Sequence, residues 1–399
     1  MRVLLVSQFF PPETSAGANR AGAMAMALSE RFELRVATLQ PGYPDPSYFA
    51  AFDPRAADAA RGFAVHRDLA FRPHEASLVR RALREIGMSL RLVNGVRGWR
   101  PDVVLVTTPS MFLGPLAWWW ARARGARHAW DVRDLTWAYA RESVSPGGAS
   151  RALLGLLERA MLWHLRRADL VIGATAGLSS VLRRQGVRDD RLVTLSNGVT
   201  REFLDAFAES PPRPAASRPR VSYIGLMGYN HDIGILLDVA RRLPQADFVL
   251  VGDGPERPAI EARLANGGPT NVRMARYETD RAALREHYLS SDVLVNHTKP
   301  TPTLNDIVYP AKTFEYFATR RPVVYAGTGF AADLLRERDL AIVVPPGDPA
   351  ALAHGIEQVL AAPDTAHERA TRARTFVKLE HCREVQLMAF VQELERRFG

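Results

Sequence analysis

The 399-residue chain carries one cysteine, Cys382, and that scarcity excludes an internal disulfide and any zinc cage built from cysteine thiolates. A reducing compartment suits such a chain, so the cytoplasm is the expected address. Neither the dinucleotide signature G-x-G-x-x-G nor a P-loop occurs, which argues against a nicotinamide role and against P-loop chemistry. No tract is of low complexity and charged residues make up 24%, so little disorder is expected beyond the termini and a linker. Residues 1–6 are apolar but meet Gln8 and Pro11-Pro12 too early for a signal-peptide core, and no small-residue cleavage site follows. They read as a strand. The one uncharged stretch of membrane-span length, residues 103–121, contains Thr107-Thr108-Pro109-Ser110, a turn and helix-start signal. It therefore reads as a buried strand, a turn and a helix rather than a span.

What is present points to two globular units. A chain of this length with 47% apolar residues exceeds one ordinary core and can build two. Its 52 Lys and Arg against 43 Asp and Glu leave a net charge of +9, which favours an anionic partner such as nucleotide phosphates or an acidic membrane surface. Nucleic acid is disfavoured, because no recognised binding module accompanies the charge.

Short β-branched runs alternate with helix-period segments, the pattern of a parallel sheet covered by helices. Strands are expected at 3–6, 34–37, 63–66, 103–106, 128–131, 170–173 and 192–195, with helices at 19–30, 76–96, 149–166 and 177–184. Four prolines between Ala208 and Pro219 mark a linker, placed at 204–219. Strands then restart at 220–224, 248–251, 272–274, 293–295, 323–325 and 341–344. The expected organisation is an N-terminal domain over 1–203, a C-terminal domain over 220–376, and a last helix over 377–398 that can lie back over either. Two doubly wound, Rossmann-like α/β domains facing a cleft would bind ligands at the carboxyl ends of their strands.

The loops at those ends carry the candidate residues. Gly17 and Ala18 follow the first strand and open a helix, where small residues and free N–H groups suit a phosphate as well as they suit a tight turn. Asp131-Val132-Arg133-Asp134 ends another strand; its charges fit a structural Asp–Arg pair or a cleft function equally, and with no D-x-D or other metal-ligand spacing no metal is expected. In Tyr309-Pro310-Ala311-Lys312-Thr313-Phe314-Glu315-Tyr316, Phe314 faces the core while Lys312 and Glu315 share another face one turn apart. A solvated ion pair explains that spacing, as does a lysine set for diphosphate oxygens with a carboxylate set for a ribose diol. Gly252-Asp253-Gly254-Pro255 and Ala275-Arg276-Tyr277 are further cleft loops, the second offering a ring to a base. The helix around 76–96 carries Arg80, Arg81 and Arg84 beside Leu83, Ile86, Met88 and Leu90. It suits either an ordinary surface helix or one lying peripherally on an anionic bilayer, on the membrane's inner face.

Taken in order, six landmarks resemble family 4 of the glycosyltransferases, and most nearly its bacterial branch acting on lipid-linked polysaccharide precursors. They are Phe9-Phe10-Pro11-Pro12-Glu13 with the loop at Gly17, Asp131–Leu135, Ser196-Asn197-Gly198-Val199, Val251–Pro255, Pro310–Tyr316 and Val344–Pro349. The resemblance implies a GT-B fold and a retaining, metal-independent transfer from a nucleotide sugar, with no cofactor. It implies that Glu315 binds the donor ribose, that Gly17 and Ala18 approach the diphosphate and the acceptor, and that Tyr277 lies by the base. The donor would sit in the C-terminal domain and a lipid-linked or small natural-product acceptor in the N-terminal one, near Arg20, Arg80, Arg81 and Arg84.

Several positions depart from the family pattern. Of two glutamates normally separated by seven residues, Glu315 matches the second, while Ile307 holds the first place with Asp306 beside it. Leu226 and His231 stand where an Arg and a Lys usually hold the diphosphate, and Arg133 stands for a histidine. Phosphate neutralisation is then expected from Lys312, Arg133 and Lys299, with Arg133, Asp134 and Lys312 as catalytic candidates. Gly17, Ala18, His231, Gly252, Tyr277, Asp306, Lys312 and Glu315 are the donor-binding candidates. A non-catalytic nucleotide-binding relative and a nucleotide-sugar epimerase are the alternatives that the departures leave standing.

Overall fold

The computed structural model describes residues 1–13, 15–42, 46–49, 52–69, 78–138, 148–209, 217–276, 280–300, 307, 309 and 311–399. The chain forms two compact units: Met1–Asn197 with Glu384–Gly399, and Gly198–Arg383. The first crossing at Asn197–Gly198 precedes the expected 204–219 linker. Residues 204–206 belong to a helix, Arg201–Ala206, whose Leu204, with Phe207 just beyond it, enters the core of the second unit. Of the proline-rich stretch, residues 210–216 lie outside the described residues.

The first unit has seven strands: β1 (Arg2–Ser7), β2 (Glu33–Leu39), β3 (Ala64–Asp68), β4 (Val103–Thr107), β5 (Arg127–Val132), β6 (Leu170–Gly173) and β7 (Leu192–Thr194). They pair in the order β3-β2-β1-β4-β5-β6-β7, each pair parallel. Parallel central strands are covered on both faces, so they must be apolar at every position. In β1 the two-residue period sends Val3 and Leu5 into a core with Met24 and Leu28 of the helix Ala16–Ser29. Leu4 and Val6 enter the opposite core, with Met88, Leu92 and Ala117. β4 repeats the division, and the helix Leu113–Arg122 follows its turn as read from the sequence. Among the described residues no helix is long and apolar enough to cross a membrane.

The second unit repeats the order with six parallel strands: β8 (Arg220–Ile224), β9 (Asp247–Val251), β10 (Val272–Ala275), β11 (Val293–His297), β12 (Val323–Ala326) and β13 (Ile342–Val344), arranged β10-β9-β8-β11-β12-β13. Both sheets reverse their winding beside the first strand of the unit. That reversal opens a crevice at the carboxyl ends of β1 and β4, and another at those of β8 and β11.

The expected single helix over 377–398 is two helices, Pro363–Glu380 and Arg383–Phe398. Between them Cys382 bridges Val199, with Val199 N–H donating to His381 O (3.1 Å) and Arg383 N–H to Val199 O (2.9 Å). A helix cannot supply those inter-segment bonds, so it stops there. Beyond the break, Leu387, Phe390, Val391 and Leu394 pack into the core that holds Val3 and Leu5.

Candidate functional site

The crevice of the second unit is floored by backbone. Gly225 N–H donates to Val251 O (2.9 Å) and Met227 N–H to Asp253 O (2.8 Å), so the loops leaving β8 and β9 lie against each other. A Cβ on Gly252, whose φ is +150°, would stand 1.9 Å from Gly225 O. Only glycine allows that approach.

Above this floor the helix Ala311–Ala318 presents its first turn. Phe314 is buried, as the sequence indicated, and so is Phe317. Asn296 Nδ2 at the end of β11 donates to Thr313 Oγ1 (2.8 Å), and the Tyr316 hydroxyl both donates to Ile224 O (2.9 Å) and accepts from Ile224 N–H (2.8 Å). These bonds fix the helix to β8 and β11. The Lys312 ammonium donates to the Tyr223 hydroxyl and to Leu226 O (3.4 Å), and lies 4.3 Å from the Tyr223 ring centroid. A Cβ on Gly225 would meet its Cε and Nζ at 3.3 Å. Burial pushes the ammonium down to about 7, opposed by Glu315. Glu315 accepts from the Tyr288 hydroxyl (3.2 Å), and its carboxyl is pushed up by burial against the pull of Tyr288, Lys312 and Arg383. The two side chains thus have separate phenol partners instead of forming a surface ion pair.

His231 and His297 face each other across the switch point. His297 Nδ1 donates to His231 O (2.7 Å) and His231 Nδ1 to His297 O (3.2 Å); a carbonyl only accepts, which fixes both tautomers. His297 Nε2 in turn accepts from Gly347 N–H (2.9 Å). Burial, then the Lys312 charge, hold His231 down at about 3. A neutral ring committed to a carbonyl adds no charge to the site, so His231 does not substitute electrostatically for a lysine. Lys299 lies 3.5 Å from Glu256 Oε1 and 4.0 Å from Asp232 Oδ1, so its charge is already shared. Tyr277 and Asp306 lie outside the described residues, and Ile307 is buried.

In the first unit the helix Ala16–Ser29 begins at the carboxyl end of β1, with Ser15 Oγ capping Ala18 N–H (3.2 Å). Arg133 N–H donates to Thr108 Oγ1 (2.8 Å) and its Nη1 to Thr108 O (3.4 Å). The guanidinium is thereby held over Gly17, where a Cβ would stand 2.5 Å from Nη1. Burial pushes Arg133 down and Asp134 up, each opposed by the other's charge. A guanidinium beside a helix N-terminus suits an anion.

Arg20 was expected among the acceptor- or membrane-facing residues, and the structure places it elsewhere. Its Nε and Nη2 form a bidentate pair with the buried Asp131 (2.9 and 2.7 Å), which also accepts from Thr107 Oγ1 (2.8 Å). This is the structural Asp–Arg pair of the segment, made with Arg20 and leaving Arg133 outside it. Arg80, Arg81 and Arg84 are exposed on the helix Leu78–Asn94. Sequence reasoning missed Tyr223, Tyr288 and His297, whose strand or helix settings carry no motif. Among the described residues no group of three or more His, Cys, Asp or Glu could hold a metal ion.

Comparison with known proteins identifies the family and the fold. Residues 218–362 match the model described as "Glycosyl transferases group 1", and residues 15–198 that described as "Glycosyl transferase 4-like domain". Glycogen synthase of Mycobacterium tuberculosis is 24% identical over 404 residues, covering 94% of this chain and 89% of that protein. The 2-deoxystreptamine glucosyltransferase of Streptomyces kanamyceticus is 23% identical over 69% of this chain and 73% of its own length. Among solved structures, Anabaena HepE in complex with UDP superposes with a TM-score of 0.70 at 15% identity, covering 99% of this chain and 100% of that one.

Proposed function

This chain belongs to the family 4-like glycosyltransferases of the GT-B fold, and we propose that it moves a sugar from a UDP-linked donor to an acceptor hydroxyl with retention of anomeric configuration. The carrying observation is the half-buried Lys312, held by Tyr223 above the glycine floor with Glu315 one turn away. A depressed, partly desolvated ammonium gains most from an arriving diphosphate, and a half-buried carboxylate suits a ribose diol. The UDP bound to HepE, a protein of the same fold, supports the choice of base.

In the transfer, the acceptor oxygen bonds to the anomeric carbon as the bond from that carbon to the diphosphate oxygen breaks. The electron pair stays on the departing UDP, which also takes up the acceptor's proton. Lys312 of the second unit stabilises the developing phosphate charge, and positioning does the rest without a metal. In the first unit Arg133, beside Asp134 and a helix N-terminus, is a separate catalytic candidate suited to an anion. The acceptor we propose is a lipid-linked polysaccharide precursor, the substrate class of the branch that the sequence landmarks resemble, with a small natural-product aglycone as the alternative. UDP release and donor affinity, measured for Lys312→Ala, Glu315→Ala and Arg133→Ala with a panel of UDP-sugars, test the site. Wild-type behaviour in all three removes it from consideration.

A further inference from the structure

We infer that the outward face of three neighbouring helices in the first unit is a docking surface for an anionic lipid bilayer. The helices are Leu78–Asn94, Leu113–Arg122 and Gly148–Leu165; the first packs on the second and the second on the third. The first two turn Met88, Leu92, Leu113 and Ala117 to the sheet. Away from it stand Leu83, Leu90, Trp119, Leu153, Leu156 and Trp163, with exposures from 38% at Trp163 to 65% at Leu153. Leu153, Leu156 and Trp163 fall at helical spacing on one side, and Leu83 and Leu90 two turns apart on another helix, so these are faces and not scattered side chains. Trp119 and Trp163 join two helices, with ring centroids 6.3 Å apart and planes 22° apart, while Trp118 meets both rings edge-on. Nothing among the described residues covers them.

The exposed charge around this apolar face is mostly basic, with Glu158 of the third helix partly exposed among it. Arg80, Arg81, Arg84, Arg122, Arg166 and Arg167 are exposed on the same helices or at their ends. Arg167 lies 3.9 Å from the Trp163 ring centroid and Arg122 5.4 Å from that of Trp118. The helix Leu113–Arg122 has no acidic residue. Glu85 of the first helix turns inward, accepting from Ser110 Oγ (2.7 Å) and Phe112 N–H (3.2 Å). Exposed tryptophan and leucine ringed by arginine match the boundary between acyl chains and anionic headgroups. A second copy of the chain fits worse, because a two-fold contact would set arginines against arginines. Nucleic acid would leave the leucines unused.

This deepens the reading of a lipid-linked acceptor, and it replaces the single basic helix expected from the sequence with a three-helix face. Flotation of the full chain with phosphatidylcholine vesicles, with and without phosphatidylglycerol, tests it. Wild type should float only with the anionic vesicles, and less at high salt. Trp119→Ser/Trp163→Ser should lower partitioning on the order of tenfold, and Arg80→Gln/Arg81→Gln/Arg84→Gln on the order of a hundredfold. The tryptophan variant should keep the wild-type unfolding midpoint and its rise with UDP, which separates lost docking from lost folding. Absence of flotation, equal flotation on neutral vesicles, or a concentration-dependent dimer that ignores vesicles overturns the proposal. Vesicle binding without a UDP response would leave docking intact and sink the glycosyl-transfer site instead.

Discussion

Lys312 gives its ammonium to the phenol of Tyr223, while Glu315, one turn along the same helix, takes the phenol of Tyr288. The cation is thus oriented by a neutral partner and keeps its charge available for a phosphate. Lys312→Ala should weaken UDP binding by roughly ten- to hundredfold, the cost of losing a charge-assisted bond. Tyr223→Phe keeps the cation and loses only its alignment, so about two- to tenfold is expected. Isothermal calorimetry with UDP reads both; a Tyr223→Phe loss as large as that of Lys312→Ala would mean the phenol itself contacts ligand.

UDP binding should depend on pH through the same lysine. Burial holds its ammonium at about 7, so above that pH the free protein presents a neutral amine. The diphosphate prefers the charged form, and binding must draw in a proton. UDP affinity should therefore fall by up to about tenfold per pH unit above about 7, and Lys312→Ala should abolish that slope. For the unliganded fold the sign is opposite. Between about 7 and the usual lysine range the unfolded chain binds more protons than the native one, so this group makes stability rise with pH across that window. Calorimetry in buffers of different ionisation enthalpy measures the proton uptake directly.

Gly17→Ala should separate turnover from folding. The added Cβ would fall 2.5 Å from Arg133 Nη1, the far end of a flexible side chain, with other neighbours at 3.4 Å or beyond. Arg133 can swing aside, so stability should change by less than about 1 kcal/mol. Its guanidinium then leaves the helix N-terminus, and kcat should fall by roughly ten- to hundredfold. Unchanged turnover would take Arg133 out of the reaction.

Asp131→Asn should do the reverse. It strands the Arg20 charge, which is buried and bound to both carboxylate oxygens, and breaking such a pair costs about 3–5 kcal/mol. Urea unfolding followed by circular dichroism measures the loss. A cost under about 1 kcal/mol would show that solvent reaches the pair after all.

Both sheets were legible because central parallel strands announce themselves: Val3–Val6 and Val103–Val106 must be apolar throughout, since alternate residues enter opposite cores. The landmark loops were legible because glycine is forced where backbones touch, as at Gly252. Side-chain partners over long separations were not. Arg20 finds Asp131 across 111 residues, and nothing in either segment distinguishes that pairing from one with the nearer Arg133. The helix break before Arg383 was hidden for a similar reason, since the bonds that stop the helix come from Val199. The helix read after the 103–106 strand is there, but its sequence gives no sign that Trp119 faces outward while Trp118 and Trp120 are buried.

The return of residues 384–399 to the first unit sets an order of assembly. The second unit is one uninterrupted length of chain, Gly198–Arg383, whereas the first lacks Leu387, Phe390, Val391 and Leu394 of its core until the final helix exists. During synthesis the half that is made first is therefore finished last, and it waits on the ribosome with one side of Val3 and Leu5 incompletely covered while the later half folds.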